Sequence, residues 1–246
     1  VIMNNLLRRI VILLLLLCPI VSRAKKFKQE VIHSCTGEQV RIYSSAVTDT
    51  LRIFVIADTH LWLSDEREDP FRQYSKRMAA AYNETTHFKT GEKTNPEKAF
   101  RQTVALAKAK NADVIALLGD IVSYPSERAV EFVQEVMRES GIPYYYTCGN
   151  HDWHYEGMEG SSHELRKKWR EERLSQLFGK YDPVAYGVEH KGVRLLFFDT
   201  SNYEIEPRQL DFIRKEAKSG VPFILFQHIP LYAPSRSVAY GIGHPK

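Results

Sequence analysis

Cysteine is scarce in this chain, which contains three among 246 residues. Cys35 and Cys148 are the two that lie beyond residue 24, and two cysteines so far apart in sequence do not establish a disulfide. The chain also shows no internal repeat and no low-complexity segment, so a repeat architecture is not expected. Its content of 43% hydrophobic and 26% charged residues is typical of a globular protein and argues against wholesale disorder.

The chain has no apolar run of the length that an ordinary membrane span needs. The run Ile10–Leu17 is too short; it follows two arginines and precedes a small-residue site that ends at Ala24. This order predicts a signal peptide over residues 1–24, and therefore an exported protein without a stable membrane span. A retained anchor is one alternative. A lipid on Cys18 is another, although leucines stand upstream of Cys18 where a small residue would be expected.

A large excess of positive charge is missing as well. The net charge is +4, and subtracting the three arginines of the predicted signal peptide leaves about +1. The basic run Arg166–Arg170 is interleaved with Glu164, Glu171 and Glu172 on a predicted helix, so we interpret it as a solvated helix face. No nucleic-acid partner is indicated, and the oligomeric state cannot be read from the sequence.

The apolar pattern predicts alternating strands and helices. Runs typical of buried strands are Leu51–Ala57, Ala112–Leu118, Ile142–Cys148 and Val221–Gln227. Amphipathic or capped patterns predict helices over Pro96–Lys110, Ser126–Ser140, His163–Phe178 and Pro207–Lys218. The first three strands, with two intervening helices, predict a largely parallel sheet. Val184–Glu189 and Val193–Thr200 read as a hairpin, which indicates a second or mixed sheet.

Two segments lie outside this pattern. Residues 25–50 are polar, with a β-like piece at Glu38–Tyr43, and predict a leading strand or hairpin that forms an N-terminal extension before a domain over 51–246. Leu61–Thr94 is rich in charge and has little apolar periodicity. Structureless segments of such length are usually functional lids or mobile insertions. We therefore expect an insertion over about 61–94 that overhangs the site or forms a mobile surface excursion.

Four polar clusters follow the predicted strands. They are Asp58-Thr59-His60, Gly119-Asp120, Gly149-Asn150-His151-Asp152 and His228. The carboxyl ends of strands in an α/β sheet are where sites form, so these groups can meet in one crevice. Aspartate, histidine and asparagine ligands without cysteine suit Mn, Fe or Zn. A two-metal hydrolase is the leading hypothesis.

The spacing suggests a role for each cluster. Asp58 and His60 can chelate one ion, while the two oxygens of Asp120 can bridge two. Asn150 and His228 can supply neutral ligands to the second ion.

The two remaining residues of the tetrapeptide suggest catalytic roles. His151 can face a substrate. Asp152 can accept a hydrogen bond from His151 and fix its tautomer. We therefore name His151 and Asp152 as candidate catalytic residues.

In this order the clusters resemble the motifs of the calcineurin-like metallophosphoesterases: D-x-H, G-D-x-x-D, G-N-H-D/E, a single His and G-H-x-H. The resemblance covers Leu51 to His228. It implies a four-layer α/β/β/α sandwich of two mixed sheets, and a dinuclear centre of Mn, Fe, Zn or related ions. It also implies hydrolysis of a phosphoester substrate, a monoester or a diester, by a metal-bound hydroxide. The metal ligands would be Asp58, His60, Asp120, Asn150 and His228, with His151 as acid or phosphate clamp.

The chain departs from the family pattern in two places. Ser123 stands where the second Asp of G-D-x-x-D is common, which changes hydrogen bonding without removing a ligand. G-H-x-H is missing, because Gly243-His244-Pro245-Lys246 has a lysine at the second histidine. We expect the domain to be incomplete at its C-terminus. The alternative function is an exported, non-catalytic binding protein that retains the fold.

Two branches of the family fit less well. Protein serine/threonine phosphatases usually carry V-D-R-G after the bridging Gly-Asp, whereas Ile121 and Val122 follow it here. Purple acid phosphatases have D-x-G where this chain has Asp58-Thr59-His60. Both branches are disfavoured.

Overall fold

A computed structural model describes residues 31–81, 85–87 and 89–234. The predicted signal peptide, Cys18 and Gly243–Lys246 lie outside the described residues. The chain divides into two compact units, with the boundary between Ala46 and Val47. In the first unit, β1 (Val31–Cys35) and β2 (Val40–Ser44) form an antiparallel hairpin, one of the two forms expected for this segment.

The second unit holds a parallel sheet of three strands in the order β3-β6-β7. These strands are β3 (Ile53–Ile56), β6 (Val114–Leu118) and β7 (Tyr144–Thr147). Between β3 and β6 lies a small hairpin of β4 (Thr85–Thr86) and β5 (Lys93–Thr94). The three parallel strands fall inside the predicted apolar runs, which confirms the parallel sheet. β3 is less buried than predicted, because it is an edge strand and leaves Val55 50% exposed.

A second sheet has the order β10-β9-β8. It contains β8 (Ala185–His190), β9 (Val193–Phe198) and β10 (Phe223–Gln227). The predicted hairpin is confirmed: β8 and β9 are antiparallel, while β9 and β10 are parallel. The two sheets are bonded directly, because the Thr147 hydroxyl donates to the Phe198 carbonyl at 2.8 Å.

Six α-helices of the second unit complete the described architecture. They are α1 (Arg72–Ala81), α2 (Pro96–Ala109), α3 (Glu127–Ser140), α4 (Ser162–Trp169), α5 (Ser175–Phe178) and α6 (Pro207–Lys218). Asn95 and Ser126 cap α2 and α3 through their side chains, and Gly141 ends α3 in a left-handed conformation. The elements of the second unit form the expected α/β/β/α sandwich, but in the described residues only the β10-β9-β8 sheet is mixed and the β3-β6-β7 sheet is parallel. In the described residues, no helix combines the length and apolar character that crossing a bilayer requires.

The insertion contains more structure than the sequence predicts. A 3₁₀ helix (Glu66–Phe71) leads directly into α1, and the small hairpin follows. α1 buries Ser75 and Met78, while Phe71 packs edge-on against Trp169. The prediction of a structureless segment was wrong because α1 is mostly polar and turns few side chains inward. This part of the insertion packs against the domain.

The predicted helix over His163–Phe178 is interrupted by a π-helical turn, Arg170–Leu174, between α4 and α5. The expected solvated basic face is only half correct. Lys167 and Lys168 are exposed, but the side chains of Arg166 and Arg170 are 3% and 10% exposed. Both reach the carboxylate of Asp199, 29 to 33 residues away, which no local charge pattern reveals. Cys35 is exposed, Cys148 is buried, and both thiols are free.

Candidate metal centre

The clusters follow the carboxyl ends of four strands in the two sheets. Asp58 and His60 follow β3, Asp120 follows β6, His151 follows β7, and His228 follows β10. Their potential ligand atoms form two groups, each within 4.8 Å. One group contains His60, Asp120 and His151, and the other contains Asp58, Asp120 and His228. Asp120 belongs to both groups, as a bridging carboxylate would.

The grouping differs from the sequence prediction in two respects. Asp58 and His60 are predicted to share one ion, but Asp58 groups with His228 and His60 with His151. His151, predicted to be catalytic and not a ligand, lies among the potential ligands. Both Asp58 and His60 have left-handed backbones, with φ of 55° and 47°. The regular alternation that places residues i and i+2 on one face of a strand therefore does not apply between them.

The loop backbones are held in a strained arrangement. Asp120 also has a positive φ, at 50°, so three candidate ligands adopt a conformation that costs energy for residues with a Cβ. Main-chain hydrogen bonds fix this geometry: the Asp58 amide donates to Gly119 at 3.1 Å, and the His60 amide donates to Asp120 at 2.9 Å. Strain of this kind clusters at functional sites.

Two glycines let the strand ends approach each other. A Cβ on Gly149 would lie 2.1 Å from Oδ1 of Asp120, and a Cβ on Gly119 would lie 2.5 Å from the Gly149 nitrogen. The Gly119 Cβ would also meet the His228 ring at 2.7 Å. Neither position can hold a side chain unless the ligands move. The glycines are therefore a steric requirement of the site.

His228 is oriented by the neighbouring sheet. Its Nδ1 lies 2.8 Å from the carbonyl of Leu118, and its Nε2 lies 3.3 Å from Oδ2 of Asp120. A carbonyl partner on one ring nitrogen is the usual way to fix a metal-binding imidazole and to direct the other nitrogen at the ion. Burial lowers the pKa of His228, but the hydrogen bond and charge of Asp120 outweigh burial and raise it to about 9.

The other buried groups form a tightly coupled set. Burial opposes ionisation of Asp120, but hydrogen bonding and charge from His228 hold the Asp120 pKa below its usual value. Burial lowers the pKa of His60, whose ring lies edge-on to that of His151 with centroids 4.9 Å apart. Histidine and carboxylate donors in this arrangement fit Mn, Fe or Zn.

Asp152 does not make the predicted hydrogen bond to His151. Its side chain is fully buried and accepts hydrogen bonds from the amides of Asp120 (2.9 Å), Val122 (2.9 Å) and Gly149 (2.7 Å), with the Tyr146 hydroxyl as a further partner. Burial and the charge of Asp120 raise the pKa of Asp152 to about 7, while the amides favour its ionised form. Asp152 therefore links the loops after β6 and β7.

Asn150, His151 and Ser123 lie in the loops that surround Asp120. Asn150 is half-buried in the turn between Gly149 and His151. The His151 amide donates to Oδ1 of Asp120 at 2.8 Å, which joins this turn to the shared carboxylate. The Ser123 hydroxyl donates to the His60 carbonyl at 2.9 Å, so it ties the loop after β6 to the loop after β3.

The insertion contacts the loop that follows the Gly149–Asp152 cluster. The buried carboxylate of Glu68 accepts a hydrogen bond of 2.7 Å from Tyr155, and Arg77 of α1 pairs with Glu156. Burial raises the pKa of Glu68. The start of the insertion thus lies beside the candidate site.

Sequence reasoning missed several residues near the site. Trp153 donates a hydrogen bond to Ser201, which in turn bonds Asp199, the first residue after β9. The strand-end rule that found the other clusters could have identified Asp199, had the predicted strand not been extended to Thr200.

Residues 51–245 match the family of calcineurin-like phosphoesterases. The chain belongs to this family. It is therefore a metal-dependent hydrolase of phosphoesters, and its donor set fits a bound metal. Two solved phosphatases resemble this phosphoesterase. A dimetal phosphatase from Danio rerio is 12% identical, with a TM-score of 0.48 over 74% of this chain and 70% of that chain. Purple acid phosphatase PPD1 from yellow lupin seeds is 14% identical, with a TM-score of 0.47 over 81% of this chain and 34% of that chain.

No curated protein matches the phosphoesterase.

Replacing Gly149 with alanine tests the steric requirement. Because the new Cβ would overlap Asp120, we expect Gly149→Ala to weaken Mn²⁺ binding by about 10-fold or more, as measured by titration calorimetry. Gly37→Ala is the matched control, since a Cβ there meets nothing within 4 Å. Equal affinity of the two variants would show that the close approach is not required.

Replacing Asp152 with asparagine tests its role as a loop link. Asparagine has one carbonyl oxygen, so at least one backbone amide would face an NH₂ group. We expect the free energy of unfolding to fall by about 2 kcal/mol, measured by urea denaturation with a chelator present. Asp49→Asn changes an exposed carboxylate that accepts the adjacent amide and lies 3.6 Å from the Lys191 ammonium, and it should have little effect because exposed ion pairs contribute little. A stability loss no larger than that of Asp49→Asn would contradict the role.

Proposed function

We propose that this phosphoesterase uses a dinuclear metal centre in which Asp120 bridges two ions. Asp58, His60, Asn150 and His228 would complete the available ligand set for Mn, Fe or Zn. The observation that carries the proposal is that Asp120 belongs to both groups of potential ligands. When bound, the ions would supply Lewis acidity that neutralises phosphoryl oxygens and activates water. The substrate is a phosphoester, either a monoester or a diester.

His151 is assigned to the leaving group. Its side chain is 24% exposed, whereas that of Asp120 is 6% exposed, so His151 is more accessible to a substrate. Its amide is anchored on Asp120, and its Nε2 lies 4.0 Å from Oδ2 of the same carboxylate. The imidazole can donate a proton to the departing oxygen or hold a phosphoryl oxygen. Asp152 supports His151 through the backbone of the shared turn.

Export stays a prediction from the sequence. The signal peptide predicted over residues 1–24 supports it, and the predicted N-terminal extension and the domain from residue 51 belong to the same prediction. Among the described histidines, His228 is the last candidate ligand.

Replacing His151 with alanine separates catalysis from metal binding. We expect His151→Ala to retain its metal, measured by elemental analysis, while kcat for an aryl phosphate monoester or diester falls about 10²-fold to 10⁴-fold. His163→Ala removes an exposed histidine on α4 and should leave both properties unchanged.

Two outcomes would contradict the assignment. Loss of metal together with activity would make His151 a ligand, as its grouping with His60 and Asp120 would also allow. Unchanged turnover would remove it from the reaction. A metal-loaded wild-type chain with no turnover of either ester would favour the non-catalytic alternative.

A further inference from the structure

A chain of buried hydrogen bonds begins beside the turn that carries His151. Trp153 follows Asp152 directly and is 5% exposed. Its indole N–H donates to the Ser201 hydroxyl at 2.9 Å, and that hydroxyl lies 2.5 Å from Oδ1 of Asp199. The Ser201 amide donates to the same carboxylate oxygen at 2.9 Å. The indole of one loop is thus connected to the carboxyl end of β9.

The direction of this chain is fixed by chemistry. An indole N–H can only donate, and an ionised carboxylate can only accept. The Ser201 hydroxyl must therefore accept from Trp153 and donate to Asp199. No other proton arrangement satisfies both contacts, so the hydroxyl has one orientation.

The far end of the chain is a buried ion cluster. The Asp199 side chain is fully buried and is met by Arg170 at 2.7 Å and Arg166 at 3.6 Å. Arg166 also pairs with Glu206 at 2.8 Å. Buried charges contribute little net stability compared with apolar packing, although removing one partner is costly. Such a cluster therefore holds the Asp199 carboxylate in one position.

The position of the Trp153 indole affects that of His151, because both residues belong to one turn. The His154 amide donates to the His151 carbonyl at 3.0 Å, which closes a turn around Asp152 and Trp153. Movement of the indole would move the turn that carries His151. An error of about 1 Å in the placement of a reacting group can cost about 10²-fold in rate.

We propose that Ser201 and Trp153 are positioning residues for phosphoester hydrolysis, and that the Asp199 ion cluster holds the His151 turn through them. This inference rests on the proposed role of His151. It assigns a catalytic consequence to the arginines of α4 and the π-helical turn.

Two conservative variants and one control test the proposal in the full chain. Ser201→Ala removes the hydroxyl, and Trp153→Phe removes the N–H donor but keeps an aromatic ring. Ser140→Ala is the control, because Ser140 is also buried and its hydroxyl both donates to Met137 and accepts from Ile142. Asp199 is left intact, since its loss would strand buried arginines.

Two readouts are expected to change together. We expect kcat to fall about 10-fold to 100-fold in Ser201→Ala and in Trp153→Phe, with KM and metal content close to wild type. The double variant should be no slower than the slower single variant, because both act through one chain. Hydrogen–deuterium exchange over residues 149–156 should also accelerate in both variants, and not in Ser140→Ala.

Several results would overturn the proposal. Exchange over 149–156 that matches wild type would show that the chain does not hold the turn. Accelerated exchange with unchanged kcat would show that the held position has no catalytic consequence, as would an equal loss of kcat in Ser140→Ala. Absence of turnover in the metal-loaded wild type would refute the proposed function instead, while the exchange measurement would still test the positioning of the turn.

Discussion

The arrangement of the loops at the candidate metal centre depends on one carboxylate, that of Asp120. It accepts the amide of His151 on one oxygen, while the other lies 3.3 Å from His228. Its own amide is held by Asp152. Loops from both sheets therefore meet at a single side chain, and the glycines at 119 and 149 make room for that meeting.

Two further buried carboxylates stabilise the loops around this point. Asp152 collects three backbone amides and joins the loops after β6 and β7. Asp199 collects two arginines and Ser201, and so connects the π-helical turn to the loop after β9. Because a buried charge is costly unless its partners are in place, each carboxylate favours one arrangement of its loop. The site is held by polar contacts around an apolar core.

Much of this organisation could be predicted from the sequence, and the failures have a common cause. Continuous apolar runs such as Ala112–Leu118 predict the strands, and the polar residues that follow those runs are the predicted ligands. Partners distant in sequence could not be predicted. Arg166 looked like a solvated residue because Asp199 lies 33 positions away. Asp152 was paired with its neighbour His151, although it accepts hydrogen bonds from three backbone amides. The packing of the insertion was missed because α1 shows little apolar periodicity.

The sharing of Asp120 by two metal ions can be tested with a crystal structure of the Mn²⁺-loaded protein, with anomalous scattering recorded at the manganese edge. Two anomalous peaks should flank the Asp120 carboxylate, one near Asp58 and His228 and the other near His60 and His151. A single peak, or peaks that do not contact Asp120, would contradict it.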